Sequence, residues 1–102
     1  MDLNIKNYFL VILGEKDPNK VSQMVQRMQE KGKCVQIMDR TYSLIIESNE
    51  VVITSEIRKT VGGGDSLLLI VIRMDSDTNM AWCLKTQYSE YFKSVFNEIN
   101  DR

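Results

Sequence analysis

The sequence predicts an α+β domain over residues 1–102, laid out as β-α-β-β-α-β with an additional C-terminal helix. Three observations carry that expectation. Two apolar runs, NYFLVIL at 7–13 and LLLIVI at 67–72, are rich in strand formers and nearly free of polar residues on either face. Two segments repeat apolar side chains at helical spacing: Val21, Met24, Val25 and Met28 in one, and Tyr88, Tyr91, Phe92, Val95, Phe96 and Ile99 in the other. Between them, two short strand-forming runs flank the polar pair Asp39-Arg40, which is hairpin spacing.

Each element follows from local chemistry. Residues 7–13 read as a strand buried on both sides, and Gly14-Glu15-Lys16 as a turn. Asp17-Pro18 starts a helix, because aspartate caps free N–H groups and proline suits the first helical position. That helix is expected over 18–31, with Gly32 ending it. KCVQIM at 33–38 and TYSLIIE at 41–47 form the hairpin. Ile53, Ile57 and Val61 recur at i, i+4 and i+8, so a second helix ends at 61 and starts between 50 and 54. A fourth strand is expected over 67–74, a loop at 75–79, a short edge strand near 80–84 with Trp82 anchoring it, and a last helix over 89–100 capped by Ser89. This order is the split βαβ arrangement of a ferredoxin-like antiparallel sheet. Its crossover helices lie on one face, so the two most apolar runs, taken as the central strands, need a cover on the other. The C-terminal helix, a second copy of the chain or another partner would supply it.

Composition narrows the function. The formal charge is −1, so nothing draws the whole molecule to nucleic acid or acidic lipid. No apolar run approaches the length of a membrane span, no signal peptide is expected, and two widely spaced cysteines are expected to be reduced thiols in a cytoplasmic protein. There is no histidine, which removes the commonest general base and the Ser-His and Cys-His nucleophile pairs and disfavours zinc. Any chemistry must then use carboxylates, tyrosine, lysine or a carboxylate-bound metal.

The stretch VGGGDSLLLIVI at 61–72 invites two functional readings. A phosphate-binding loop runs strand, glycines, helix; here the order is helix, glycines, strand, and the helix end beside the loop is its negative end. A palm-type metal motif, as in nucleotide cyclases with a ferredoxin-like core, needs a second carboxylate at the end of the first strand. That place holds Ile12-Leu13-Gly14, and Asp65 is followed by Ser66. The preferred reading is a turn, with Gly62 left-handed at the helix end and Gly63 and Gly64 reversing the chain.

The run Thr41-Tyr42-Ser43-Leu44-Ile45-Ile46, the helix motif Ser55-Glu56-Ile57-Arg58-Lys59, the strand Asp65-Ser66-Leu67-Leu68-Leu69-Ile70 and the pair Ala81-Trp82 together resemble the SinR-like family, small proteins related to the CRISPR-associated Cas-two family. The likeness covers most of residues 7–96 and extends more distantly to GhoS-type antitoxin ribonucleases. It implies a ferredoxin-like homodimer packed sheet to sheet or edge to edge, acting in phage–host conflict, toxin–antitoxin control or CRISPR-linked processes. It also implies that Phe9, Val11, Leu13, Leu67, Leu69 and Val71 face outward as the interface, with Leu68, Ile70 and Ile72 toward the helices. Where Cas-two proteins carry a metal-binding aspartate, this chain has Leu13 and Gly14, with Glu15 and Asp17 the nearest carboxylates.

The leading expectation is therefore a dimeric, non-catalytic interaction module needing no cofactor. Nucleic acid is a further candidate partner, held by Lys16, Lys20, Arg27 and Lys31, which share one stripe of the first helix and its entry; another protein is the other. The alternatives are a nuclease using Glu15, Asp17 or Asp65 with Mg²⁺ or Mn²⁺, and a sensor binding a small molecule or nucleotide.

Overall fold

Asp17 does at the first helix what its chemistry predicts. In the computed structural model, which describes residues 4–62, 67–78 and 81–100, its carboxylate accepts the Asn19 N–H at 3.0 Å and opens α1 (Pro18–Lys31). Met24 and Met28 point from this helix into the core. The Gly32 N–H closes α1 on the Met28 carbonyl. Gly32 is extended, with φ −179°, so handedness does not demand glycine there. Space does: a methyl group on its Cα would run into the carbonyl oxygen of Ile45 on the neighbouring strand.

Among the described residues, four strands form one antiparallel sheet: β1 (Ile5–Leu13), β2 (Lys33–Met38), β3 (Thr41–Ser48) and β4 (Leu69–Met74). Their order is β2-β3-β1-β4, the ferredoxin-like order, with α2 (Thr54–Gly62) as the second crossover and α3 (Thr86–Asn100) as the added helix. The central strands are thus β1 and β3. The run LLLIVI, expected beside β1 at the centre, is beside β1 but at the edge. Its apolar richness does not come from two flanking strands. The β2–β3 turn holds Arg40 at φ 52°, a left-handed conformation unusual for a side-chain-bearing residue, and the Arg40 carbonyl accepts the Leu13 N–H at 2.8 Å.

Several boundaries shift for physical reasons. Helix α2 begins only at Thr54, and Ile53 stands just outside it, half-exposed, its carbonyl accepting the first-turn N–H of Glu56. Gly62 is the last helical residue and not a left-handed cap; Gly63, Gly64 and Asp65 lie outside the described residues. Helix α3 starts a turn early, with the Lys85 carbonyl accepting the Tyr88 and Ser89 N–H groups, so Ser89 is inside the helix rather than its cap. Residues 81–84 form no strand, and Met80 is outside the described residues.

The sheet separates two cores. On one face Phe9, Val11 and Leu13 pack with Tyr42, Leu44 and Ile46 under α1 and α2, joined by Met24, Met28, Ile57 and Val61. On the other, Tyr8, Ile37 and Met74 pack with Phe92, Val95 and Ile99 of α3. The expected orientation is therefore reversed. Phe9, Val11 and Leu13 are sealed inside, with Leu67, Leu69 and Val71 packed against the same core, while Leu68, Ile70 and Ile72 turn away from the crossover helices.

Asn7 ties the first core to the chain around it. It is fully buried, and its amide donates to the Ile5 and Ile46 carbonyls at 3.2 and 3.3 Å. Its oxygen accepts the Val52 N–H at 2.9 Å and Arg73 Nη1 at 3.1 Å, and Arg73 also reaches the Val52 carbonyl at 2.7 Å. A buried amide with every group matched locks β1, β3, β4 and the entry to α2 in one register.

Both cysteines are free; Cys34 lies with the first core and Cys83 is exposed on the α3 side. Burial raises the Cys34 thiol from 9.0 to about 11, and burial, then Cys34 and Asp39, also raises Tyr42. When folding raises an acid's pKa, stability is fully kept below the unfolded pKa and is lost as pH rises from there through the folded value. Stability should thus fall as pH rises from about 9 to about 11, and the slope over that window should be shallower in Cys34→Ala, read from urea midpoints at a series of pH values. Gly32→Ala should lose about 1–3 kcal/mol in the same assay, because the added methyl has nowhere to go.

Candidate interaction surface

The second face is covered only in part. Helix α3 sits over the end of the sheet where Tyr8 pairs with Met74 and Ile45. Trp82 extends the cover: its ring lies 4.9 Å from Phe92 and 5.2 Å from Phe96, and its Nε1 donates to Ser89 Oγ at 3.3 Å. These aromatics at helical spacing are packing, and they form one cluster rather than an open stacking platform.

Beyond that cluster the cover thins. Met38 opposes Thr41, Thr41 opposes Ile12 and Ile12 opposes Ile70, so one uncharged row, apolar but for the buried Thr41, crosses the strands; in the adjacent row Leu10 opposes Ile72. Both margins are exposed: along β4 toward its start Ile72 is 40%, Ile70 58% and Leu68 64% exposed, and Met38 is 54% exposed on the opposite margin. Leu10, Ile12, Met38, Trp82 and Leu84 also line a groove of about 240 Å³. That is smaller than the roughly 300 Å³ at which ligand pockets usually begin. The strip is contiguous and has no charged member, the pattern of a surface that meets another protein.

The residues singled out for chemistry are engaged elsewhere. Glu15 accepts the N–H groups of Lys16 and Asp17, both at 3.1 Å, and Asp17 caps α1. Asp65 lies outside the described residues. Among the described residues, no three of His, Cys, Asp and Glu gather where they could hold a metal ion. The basic stripe on α1 is broken in the middle. Arg27 turns inward, and its Nη1 donates to the Val61 carbonyl at 2.9 Å, completing the C-terminal end of α2. Lys16 and Lys20 remain exposed, and Lys31 sits beside Lys6, Lys33, Glu47 and Glu98, where the carboxylates offset the lysines. No described helix is long and apolar enough to cross a membrane.

The alternation along β4 is readable in the sequence, and the structure turns it in the opposite sense to that expected. The decisive signal was in β3. Tyr42, Leu44 and Ile46 alternate with Thr41, Ser43, Ile45 and Glu47, so the first set marks the better-covered face, and register carries Phe9 and Val11 to that side.

Comparison of the chain with protein-family models, with curated proteins and with solved structures finds no match.

If Arg27 serves α2 rather than a ligand, Arg27→Met should lower stability by about 1–2 kcal/mol, the worth of a charged hydrogen bond. Urea unfolding would show it as a lower midpoint with an unchanged slope.

Proposed function

We propose that this chain is a non-catalytic interaction module that works as a homodimer through the uncovered part of its second sheet face. One observation carries the reading: Leu68, Ile70 and Ile72 are large, apolar and exposed on one side of β4 and its entry, with Ile12 of β1 beside Ile70 and Met38 exposed at the far margin of the same face. Such a strip presents on the order of a few hundred Å², near the limit a monomer leaves in water. Its exposure cannot be traced to folding, because the hydrophobic effect would favour covering it.

Other observations agree. The candidate carboxylates Glu15 and Asp17 are occupied with backbone N–H groups, as structural residues are. The resemblance to SinR-like proteins in the strand and helix motifs supports a dimer of the same general kind.

The test is solution mass by light scattering across micromolar concentrations. The wild-type chain should weigh as two copies. The double variant Ile70→Lys, Ile72→Lys should weigh as one and stay folded, since both sites are exposed and tolerate charge at a cost of roughly 0.5 kcal/mol or less. A wild-type mass of one chain at every concentration would sink the proposal.

A further inference from the structure

We propose that the two copies join edge to edge: β4 pairs antiparallel with β4 of a second copy about a two-fold axis at Val71, doubling the four-stranded sheet. This rests on the self-association proposed above and specifies its geometry. The first support is that the two edges of the sheet are built differently. The β2 edge carries Lys33 and Gln36 and is broken by a register shift between Gln36 and Met38. Charges and irregularities of this kind keep an edge from pairing. The β4 edge is regular: its pairing with β1 runs without interruption from Leu69 to Met74, residues 67–72 contain no charge and no proline, and its one charge, Arg73, is engaged by Asn7 and the Val52 carbonyl.

The second support is the direction of the backbone groups. The Leu68 carbonyl accepts the Gly14 N–H at 2.9 Å, so Leu68 turns its backbone toward β1. Alternation then turns Ile70 and Ile72 the same way, and directs the N–H and C=O groups of Leu69, Val71 and Arg73 outward. Among the described residues, β1 is the only strand beside β4. A regular row of outward donors and acceptors, flanked by apolar side chains, is a template for one more strand.

The third support identifies that strand. A two-fold axis at Val71 sets Val71 opposite the partner's Val71, Leu69 opposite the partner's Arg73, and Ile70 opposite the partner's Ile72. Every outward-facing residue of β4 is then bonded. Axes at Ile70 or Ile72 leave part of the strand hanging past its partner. On the α3 side the seam matches isoleucine with isoleucine, so the strip is self-complementary, as a two-fold interface requires. Arg73 brings no charge to the seam, because its guanidinium is held by Asn7 and the Val52 carbonyl on the other face. The exposed strip by itself falls short of the roughly 800 Å² per partner that a stable dimer buries. Edge pairing adds the strand backbone and the remaining exposed parts of Leu69 and Val71, which stacking the strips face to face would leave open.

Val71→Pro is the discriminating variant. It removes an outward N–H and leaves the β1 ladder intact, the setting in which an edge strand accepts proline. The variant should weigh as one chain while keeping wild-type circular dichroism and cooperative unfolding. Independently, Val71→Cys in a Cys34→Ala, Cys83→Ser background should form a disulfide between copies on mild oxidation, since paired Cα atoms there would lie about 5.5 Å apart. A control, Lys20→Cys in the same background, should not. If Val71→Pro stays dimeric while Ile70→Lys, Ile72→Lys is monomeric, edge pairing is wrong and self-association stands. A monomeric wild type removes both. Should Val71→Pro fail to fold, the cross-link decides: a yield no higher than the control overturns the pairing.

Discussion

A sheet with apolar side chains on both faces needs two covers, and a βαββαβ chain supplies one. Both crossovers of this protein lie on the side of Phe9, Val11 and Leu13, where α1 and α2 seal a continuous core. The other side depends on a separate element, α3, and on the Trp82 cluster that extends it. The second cover is narrower than the sheet. What it reaches least are Met38 at one margin and Leu68, Ile70 and Ile72 along the other, apolar side chains that water meets directly.

The polar residues mostly serve this arrangement. Asn7 sits at zero exposure with its amide and oxygen both engaged, and it fastens three strands and the approach to α2. Arg73, the charge nearest the β4 edge, is drawn into that network and away from the surface. Arg27 finishes α2, Asp17 starts α1 and Glu15 shapes the turn before it. Glu15, Asp17 and Arg27, which in isolation suggest a metal site or a nucleic-acid contact, are held by backbone atoms within hydrogen-bond distance. Chemistry at such positions would first have to break the contacts that hold the elements in place.

The proposed function rests on what the single chain leaves uncovered. Beside β4 lies an uncharged strip, and among the described residues only β1 pairs with that strand. In the proposed dimer a second copy of the same edge supplies both a strand and an apolar surface. The contrast with β2, which has lysine, glutamine and a register break, shows that the fold can close an edge and does so on one side only.

The elements themselves were legible in local chemistry. Asp17-Pro18 and Gly32 bound α1, Asp39-Arg40 sets the hairpin, and the spacing of Phe92, Val95 and Ile99 marks the buried side of α3. Those features depend on neighbours a few residues apart, where capping, turn preference and periodicity act. The order of elements also fixed the ferredoxin-like class. Three matters lay beyond it. Alternation along β1 and β4 names two sets of side chains, yet which set meets the helices is decided by register across β3. An apolar run reads alike at the centre and the edge of a sheet, since hydrophobicity counts burial and not hydrogen-bonded neighbours. The partners of Arg27 and Asn7 stand tens of residues away, so only the folded chain brings them together.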